Sequence, residues 1–129
     1  AAASTALEDS DRHVVLTASY CLGKIGPPAK AGIPGLRKLL ASEDKVVRLT
    51  STWALLQIGP KSEALVESAL PVLTDSLANP LDFVRYEAAV ALGELGPSAE
   101  PAISALEAAA SDQSPAVRRA AAEAIRKIR

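Results

Sequence analysis

Apolar residues recur at helical spacing along four stretches of the chain. The stretches cover residues 13–26, 46–59, 83–96 and 116–129 and align without gaps. Counted from a shared valine, their apolar positions fall at +4, +7, +8 and +11, which is the stripe of an amphipathic helix rather than the alternation of a strand. The shared valines are Val14, Val47, Val84 and Val117. The pattern therefore predicts a repeat of 33 to 37 residues that contains one such helix each time.

A shorter apolar pattern precedes three of these helices. It recurs at i, i+3 and i+7, in the sets Ile33, Leu36, Leu40, then Leu70, Leu73, Leu77, then Ile103, Leu106, Ala110. Each repeat is thus predicted to be a pair of helices. Between first and second helix lies a turn, with the aligned residues Asp9, Ser42, Asn79 and Asp112, all of which form turns or cap helices well.

The ends of the helices follow from glycine and proline. Gly-Pro pairs at 26–27, 59–60 and 96–97 are expected to end three second helices, because glycine adopts the left-handed closing conformation and proline cannot continue a helix. Four extra residues before Leu70 predict a first helix lengthened by about one turn in the third repeat. A kink is expected there at Pro71.

The motif Val-Arg-x-x-Ala-x-x-Ala-Leu-Gly-x-Ile-Gly-Pro, repeated in register, resembles HEAT repeats, specifically the short HEAT-like repeats of phycobilisome lyases. The resemblance covers essentially the whole chain. It implies an all-α fold, a right-handed α-solenoid (alpha-alpha superhelix) of about four helix pairs in which the first repeat is truncated. It also implies a single domain over residues 1–129, with repeats at approximately 1–26, 27–59, 60–96 and 97–129.

HEAT-like repeats typically pair an aspartate of the turn with an arginine early in the second helix. Arg48, Arg85 and Arg118 match that arginine, and Asp112 matches the aspartate. Ser42 and Asn79 depart from the pattern at the equivalent turn position. The resemblance implies that these residues form local structural hydrogen bonds between repeats.

Two positions of the second helices carry apolar side chains where a solvated helix would be polar. Positions +2 and +6 share one helix face, and in the first three repeats they hold Leu16, Leu49, Tyr86 and Tyr20, Trp53, Val90. Second helices usually line the concave face of HEAT-like proteins, so this stripe is expected to be exposed and to bind a partner. The alternative is that the neighbouring helix covers these residues, which a buried Trp53 would indicate. In the fourth repeat, the same positions hold Arg119 and Glu123, an expected salt bridge.

Charge and composition reduce the number of function classes that fit the chain. The chain has 14 basic and 15 acidic residues, so no global charge favours nucleic acid or a membrane surface. Its only histidine, His13, and its only cysteine, Cys21, lack metal-ligand spacing, and Cys21 is expected to be a buried, inert thiol. No catalytic residue, metal or cofactor is predicted. A single cysteine favours a reducing compartment such as the cytoplasm.

We therefore expect a non-catalytic protein–protein interaction scaffold that binds a protein or peptide partner on its concave face. The partner's identity and the oligomeric state stay open. One alternative is a phycobilin lyase-like enzyme or fragment, in which a tetrapyrrole would lie against Tyr20, Trp53 and Tyr86. A further alternative is a nucleic-acid-binding HEAT-like protein, which would require a basic concave face.

Overall fold

The computed structural model describes residues 6–7, 11–59 and 62–129, and all regular structure within them is helical. The second helices of the repeats are α1 (Arg12–Ile25), α3 (Lys45–Ile58), α5 (Asp82–Leu95) and α7 (Pro115–Ile128). The first helices are α2 (Ile33–Leu39), α4 (Glu63–Ser76) and α6 (Ile103–Ala109). Short 3₁₀ segments, Pro27–Gly32 and Gly96–Ala102, lead into α2 and α6. The predicted all-α fold of helix pairs is confirmed, and each second helix begins within one residue of its predicted stretch.

The chain divides into two compact units, Ala1–Ser62 and Glu63–Arg129. In the first unit, α3 packs against both α1 and α2, with Leu36 completely buried. In the second unit, α5 packs against α4 and α7, and α6 packs against α7, around Leu73, Leu92 and Leu106. Each unit thus has its own apolar core beneath a pair of neighbouring second helices. The single domain over residues 1–129 stays a prediction.

The three described turns between first and second helices use the same side-chain hydrogen bond. In each, an oxygen of the turn residue accepts the backbone N–H two residues later: Asp44 N to Ser42 Oγ at 3.1 Å, Leu81 N to Asn79 Oδ1 at 2.9 Å, and Ser114 N to Asp112 Oδ1 at 2.8 Å. Serine, asparagine and aspartate all supply such an acceptor, so the departures at 42 and 79 leave this bond intact. Asp9, the fourth turn residue predicted, lies outside the described residues.

Three second helices end at the predicted glycines, with Ile25, Ile58 and Leu95 as their last residues. Gly26 and Gly96 have φ of 77° and 62°, the left-handed region that favours glycine. Gly59 differs in conformation alone: its φ of −96° is open to any residue, and its N–H donates to Leu55 O at 3.0 Å. The α3 helix therefore ends without a left-handed residue at 59.

The insertion in the third repeat lengthens its first helix, as predicted. The α4 helix has 14 residues, whereas α2 and α6 have 7 each. It runs without a break through Pro71. The kink at Pro71 stays a prediction.

Candidate functional site

The arginines at position +1 of the second helices bind the turns of their own repeats. Arg85 Nη1 donates to Asn79 O at 2.8 Å and Arg118 Nη1 donates to Asp112 O at 2.7 Å. Arg48 Nη1 donates to Ser42 O in the same way. The acceptor is a main-chain carbonyl in all three cases, so this bond does not depend on which side chain occupies the turn.

One of these arginines also joins two repeats. Arg85 forms a bidentate pair with Asp112, with Nε–Oδ2 at 2.7 Å and Nη2–Oδ1 at 3.0 Å. The guanidinium of Arg85 and, after it, the N–H of Ser114 hold the pKa of Asp112 below its ordinary value. The bonds from Arg85 connect α5 to the turn of its own repeat and to the turn of the next repeat. A structural role for this cluster stays a prediction.

A corresponding pair in the first unit was not predicted. Arg12 at the start of α1 pairs with Asp44, whose carboxylate also caps α3 by accepting the N–H of Val46 and of Val47. The hydrogen bond from Arg12 holds the pKa of Asp44 below its ordinary value. Sequence alignment missed this pair because its aspartate is the helix cap rather than the turn residue two positions earlier.

Two aromatic rings stack across the seam between α1 and α3. Tyr20 and Trp53 have ring centroids 5.4 Å apart and ring planes inclined by 14°. The indole also lies over Gly23, where a β-carbon would come within 2.2 Å of Trp53 Cζ3. Trp53 is half-buried and Tyr20 is 52% exposed. Trp53 is thus partly buried: its ring packs on α1, and part of the side chain is accessible to solvent.

Leu49 does not belong to an exposed stripe. Its side chain is only 4% exposed, so the expectation of a solvent-facing residue is wrong, whereas Leu16 is half-buried. The equivalent residue of α7, Arg119, lines the space between α5 and α7. Position +2 therefore lies at a seam between second helices, where an aliphatic side chain can be buried.

The same seam in the second unit is open. A groove of about 580 Å³ runs between α5 and α7, and we call it the α5–α7 groove. Apolar and small residues make up most of its lining: Phe83, Tyr86, Ala89, Val90, Gly93, Ala116, Ala120 and Ala124. Phe83 is 56% and Tyr86 39% exposed at its edge, and Val90 is half-buried. Of the predicted binding residues, this groove brings together Tyr86 and Val90.

Charged side chains border the α5–α7 groove. The lining includes Asp82 and Glu123 as well as Arg119 and Lys127. Glu123 pairs with Arg126, with Nε–Oε2 at 3.2 Å, so the expected partner Arg119 is wrong. Among the described residues, no ion pair engages Arg119 or Lys127.

Sequence reasoning missed several groove residues. Phe83 precedes the anchor valine, and Gly93 lies inside α5, where it lets α7 approach: a β-carbon there would come within 3.0 Å of Ala124 Cα. Glycine at +9 in both α1 and α5 was the available signal, because a glycine inside a helix commonly marks a close approach.

Cys21 is exposed, so the expected buried thiol is wrong. Val14 and Ile25, on the same face of α1, are exposed as well. The equivalent residues of α5 and α7 are buried, and each of those helices packs on the first helix of its repeat. Before Asp11 only Ala6 and Leu7 are described, so the described residues place little against this face of α1.

Neither a metal-binding cluster nor a membrane-spanning helix occurs among the described residues. Within them, no three histidine, cysteine or carboxylate side chains gather as a metal site would require. None of the helices they form is long and apolar enough to span a bilayer.

Comparisons with known proteins agree with this architecture. A family model described as HEAT repeats matches residues 33–126. An engineered protein solved by a structural genomics consortium superposes with a TM-score of 0.74 at 24% identity. A designed armadillo repeat protein in complex with the peptide (KR)4 superposes with 0.72 at 21% identity. The matches cover 98% of this chain but only 61% and 63% of those chains. No curated protein sequence matches significantly.

Proposed function

The chain belongs to the HEAT-repeat family, and on that premise we propose that it is a non-catalytic scaffold that binds a protein or peptide through its second helices. Repeat folds of this kind commonly mediate protein interactions, and the designed armadillo relative holds a peptide. The chain spans only about 61–63% of the length of the solved structures it matches, so the proposal concerns these repeats alone.

One observation carries this proposal: aromatic side chains of the second helices are exposed. The side chains of Tyr20, Phe83 and Tyr86 are all at least 39% exposed, although burying an aromatic ring is energetically favourable. Exposed aromatic residues bordered by polar ones are typical of contact surfaces, where tyrosine and tryptophan anchor partners. Within the second unit, Phe83 and Tyr86 lie beside one groove, which gives a partner both a surface and a recess.

The test is selection of binders from a random peptide library on the immobilised chain. Selected peptides are labelled with fluorescein and titrated against wild type, Phe83→Ser and Tyr86→Ser by fluorescence polarisation. Loss of an aromatic anchor should weaken binding by about 10-fold or more. Leu81→Ser is the matched control, because Leu81 is 48% exposed but does not line the groove.

Two outcomes would contradict the proposal. The library would yield no peptide above the background of an unrelated helical protein, or the selected peptides would bind both aromatic variants as tightly as wild type. The bilin lyase and nucleic-acid alternatives stay predictions.

A further inference from the structure

The α5–α7 groove and the seam between α1 and α3 are built from equivalent positions. Val14 and Val47 are 33 residues apart, as are Val84 and Val117, so each position of one pair has a counterpart in the other. Trp53 at +6 of α3 corresponds to Glu123 at +6 of α7. Gly23 and Gly93 occupy +9 of α1 and α5. The two seams therefore share their repeat positions but not their contacts: Gly23 lies under the indole of Trp53, whereas Gly93 lies against Ala124 of α7.

In the first unit, the chain fills the seam with its own indole. Trp53 lies over Gly23 and stacks on Tyr20, so a planar aromatic ring fits between the second helices of two neighbouring repeats. In the second unit, Glu123 pairs with Arg126 of its own helix. The space between α5 and α7 is left as a groove of about 580 Å³ with an apolar lining. An aromatic side chain from outside the chain would find there alanine, glycine, valine and aromatic neighbours.

The charges at the groove select among aromatic ligands. Arg126 pairs with Glu123, whereas Asp82, at the start of α5, forms no ion pair within the described part of the chain. Arg119 and Lys127, two turns apart on α7 and about 12 Å along its axis, have no ion pair among the described residues. The groove thus offers two cations that a partner's carboxylates can meet.

We propose that the α5–α7 groove is a socket for an aromatic side chain of a partner peptide, with acidic residues beside that side chain meeting Arg119 and Lys127. This inference rests on the proposed function, since it names the partner chemistry of one part of the same interaction surface. The aromatic ring supplies apolar contact and the carboxylates supply orientation.

The probes are three fluorescein-labelled peptides of equal length. The first carries the core Asp-Glu-Trp-Glu-Asp, the second has alanine in place of tryptophan, and the third has the amides in place of the four carboxylates. Titration of the chain should show binding of the first peptide. Loss of the ring should weaken it by about 30-fold, as for an interface anchor, and loss of the carboxylates by about 10-fold.

The sharpest variant is Glu123→Trp, which places an indole where the first unit has Trp53. It should occupy the groove and weaken binding of the acidic tryptophan peptide by about 10-fold or more. Glu107→Trp is the matched control, because Glu107 pairs with Arg129 as Glu123 pairs with Arg126, yet lies on α6 outside the groove lining. It should bind like wild type. Circular dichroism checks that both variants fold.

Charge is tested separately with Arg119→Gln and Lys127→Gln. Each variant should bind the acidic peptide several-fold more weakly than wild type and bind the amide peptide with unchanged affinity. Equal binding of the tryptophan and alanine peptides, or wild-type affinity of Glu123→Trp, would overturn the socket. If library peptides still require Tyr86 in that case, the scaffold function stands and only the socket falls. If they do not, the proposed function falls as well.

Discussion

The seam between α1 and α3 and the α5–α7 groove differ most in the residue at position +6 of the later helix. Both lie between second helices whose anchor valines are 33 residues apart, and both have a glycine at +9 of the earlier helix. At +6 of the later helix, the first has Trp53 and the second Glu123. The indole packs on Gly23 and Tyr20, whereas the carboxylate pairs with Arg126 along its own helix.

The repeat thus keeps its buried framework positions separate from the positions that shape its surface. The framework positions, such as +4 and +8 with Ala88 and Leu92, are buried and decide where the helices lie. Position +6 then decides whether the recess between them is filled or left open. A repeat protein can in this way change its binding surface without changing its core.

The largest expected effect concerns the shared framework. Leu92 is completely buried at +8 of α5, so Leu92→Ala should lower the free energy of unfolding by about 2–5 kcal/mol. Urea unfolding followed by circular dichroism measures it. A loss below about 1 kcal/mol would show that the core of the second unit is not organised around this position.

The next effect separates the two seams directly. Trp53→Ala removes a half-buried, stacked ring and should lower the free energy of unfolding by about 2 kcal/mol. Glu123→Ala removes only an exposed side chain and its exposed ion pair, so it should change stability by less than about 0.5 kcal/mol. Equal losses in the two variants would show that Trp53 does not fill its seam.

Sequence alone predicted the framework because burial at +4, +8 and +11 repeats with the helical period. It could not predict which apolar residues outside that stripe are exposed. Leu49 and Tyr86 occupy the same repeat position, yet one is 4% and the other 39% exposed. That difference depends on what each seam places opposite them, and a single helix pattern carries no information about the neighbouring helix. Cys21 was misjudged for the same reason.

Both seams have a glycine at +9 of the earlier helix, Gly23 in α1 and Gly93 in α5. Alanine inside a helix is ordinarily better than glycine by about 1 kcal/mol. In Gly23→Ala that gain should be lost, because the new β-carbon would overlap the indole of Trp53 and displace it. We expect a net loss of about 1 kcal/mol and a red shift of tryptophan fluorescence.

Gly93→Ala should also lose stability, since its nearest neighbour is the backbone of Ala124 at 3.0 Å. Trp53 lies in the other unit, so its fluorescence should not shift. The same red shift in both glycine variants would contradict the placement of the Trp53 indole over Gly23.

The acid dependence compares the two ion pairs that join repeats. The folded pKa of Asp112 and of Asp44 is lowered, first by the guanidiniums of Arg85 and Arg12, so each pair stabilises the fold above the unfolded pKa of about 4. That stability is lost as pH falls through the lower folded pKa. Asn keeps the turn acceptor and removes the charge. Asp112→Asn should therefore flatten the dependence of the melting temperature on pH between 5 and 2 (roughly the range of carboxylate titration).

Asp44→Asn should flatten it less, because the Arg12–Asp44 side chains are 47% and 30% exposed against 17% and 12% for Arg85–Asp112. An unchanged profile in Asp112→Asn would show that the pair does not contribute to acid unfolding.

The smallest expected effect lies at +5, where the first unit has Ser19 and Thr52 and the second has alanine. Both hydroxyls are buried and, among the described residues, they are the buried side-chain oxygens without a hydrogen-bond partner. A buried polar group without a partner costs free energy, so Thr52→Val should stabilise the chain by about 0.5–1 kcal/mol at nearly equal volume. Ser51→Ala, in the same helix, is the matched control: its hydroxyl donates to Val47 O at 2.8 Å, and its loss should destabilise by about 1 kcal/mol. If both variants lower the free energy of unfolding, the Thr52 hydroxyl has a hydrogen-bond partner in solution. The seam between α1 and α3 would then be polar as well as aromatic.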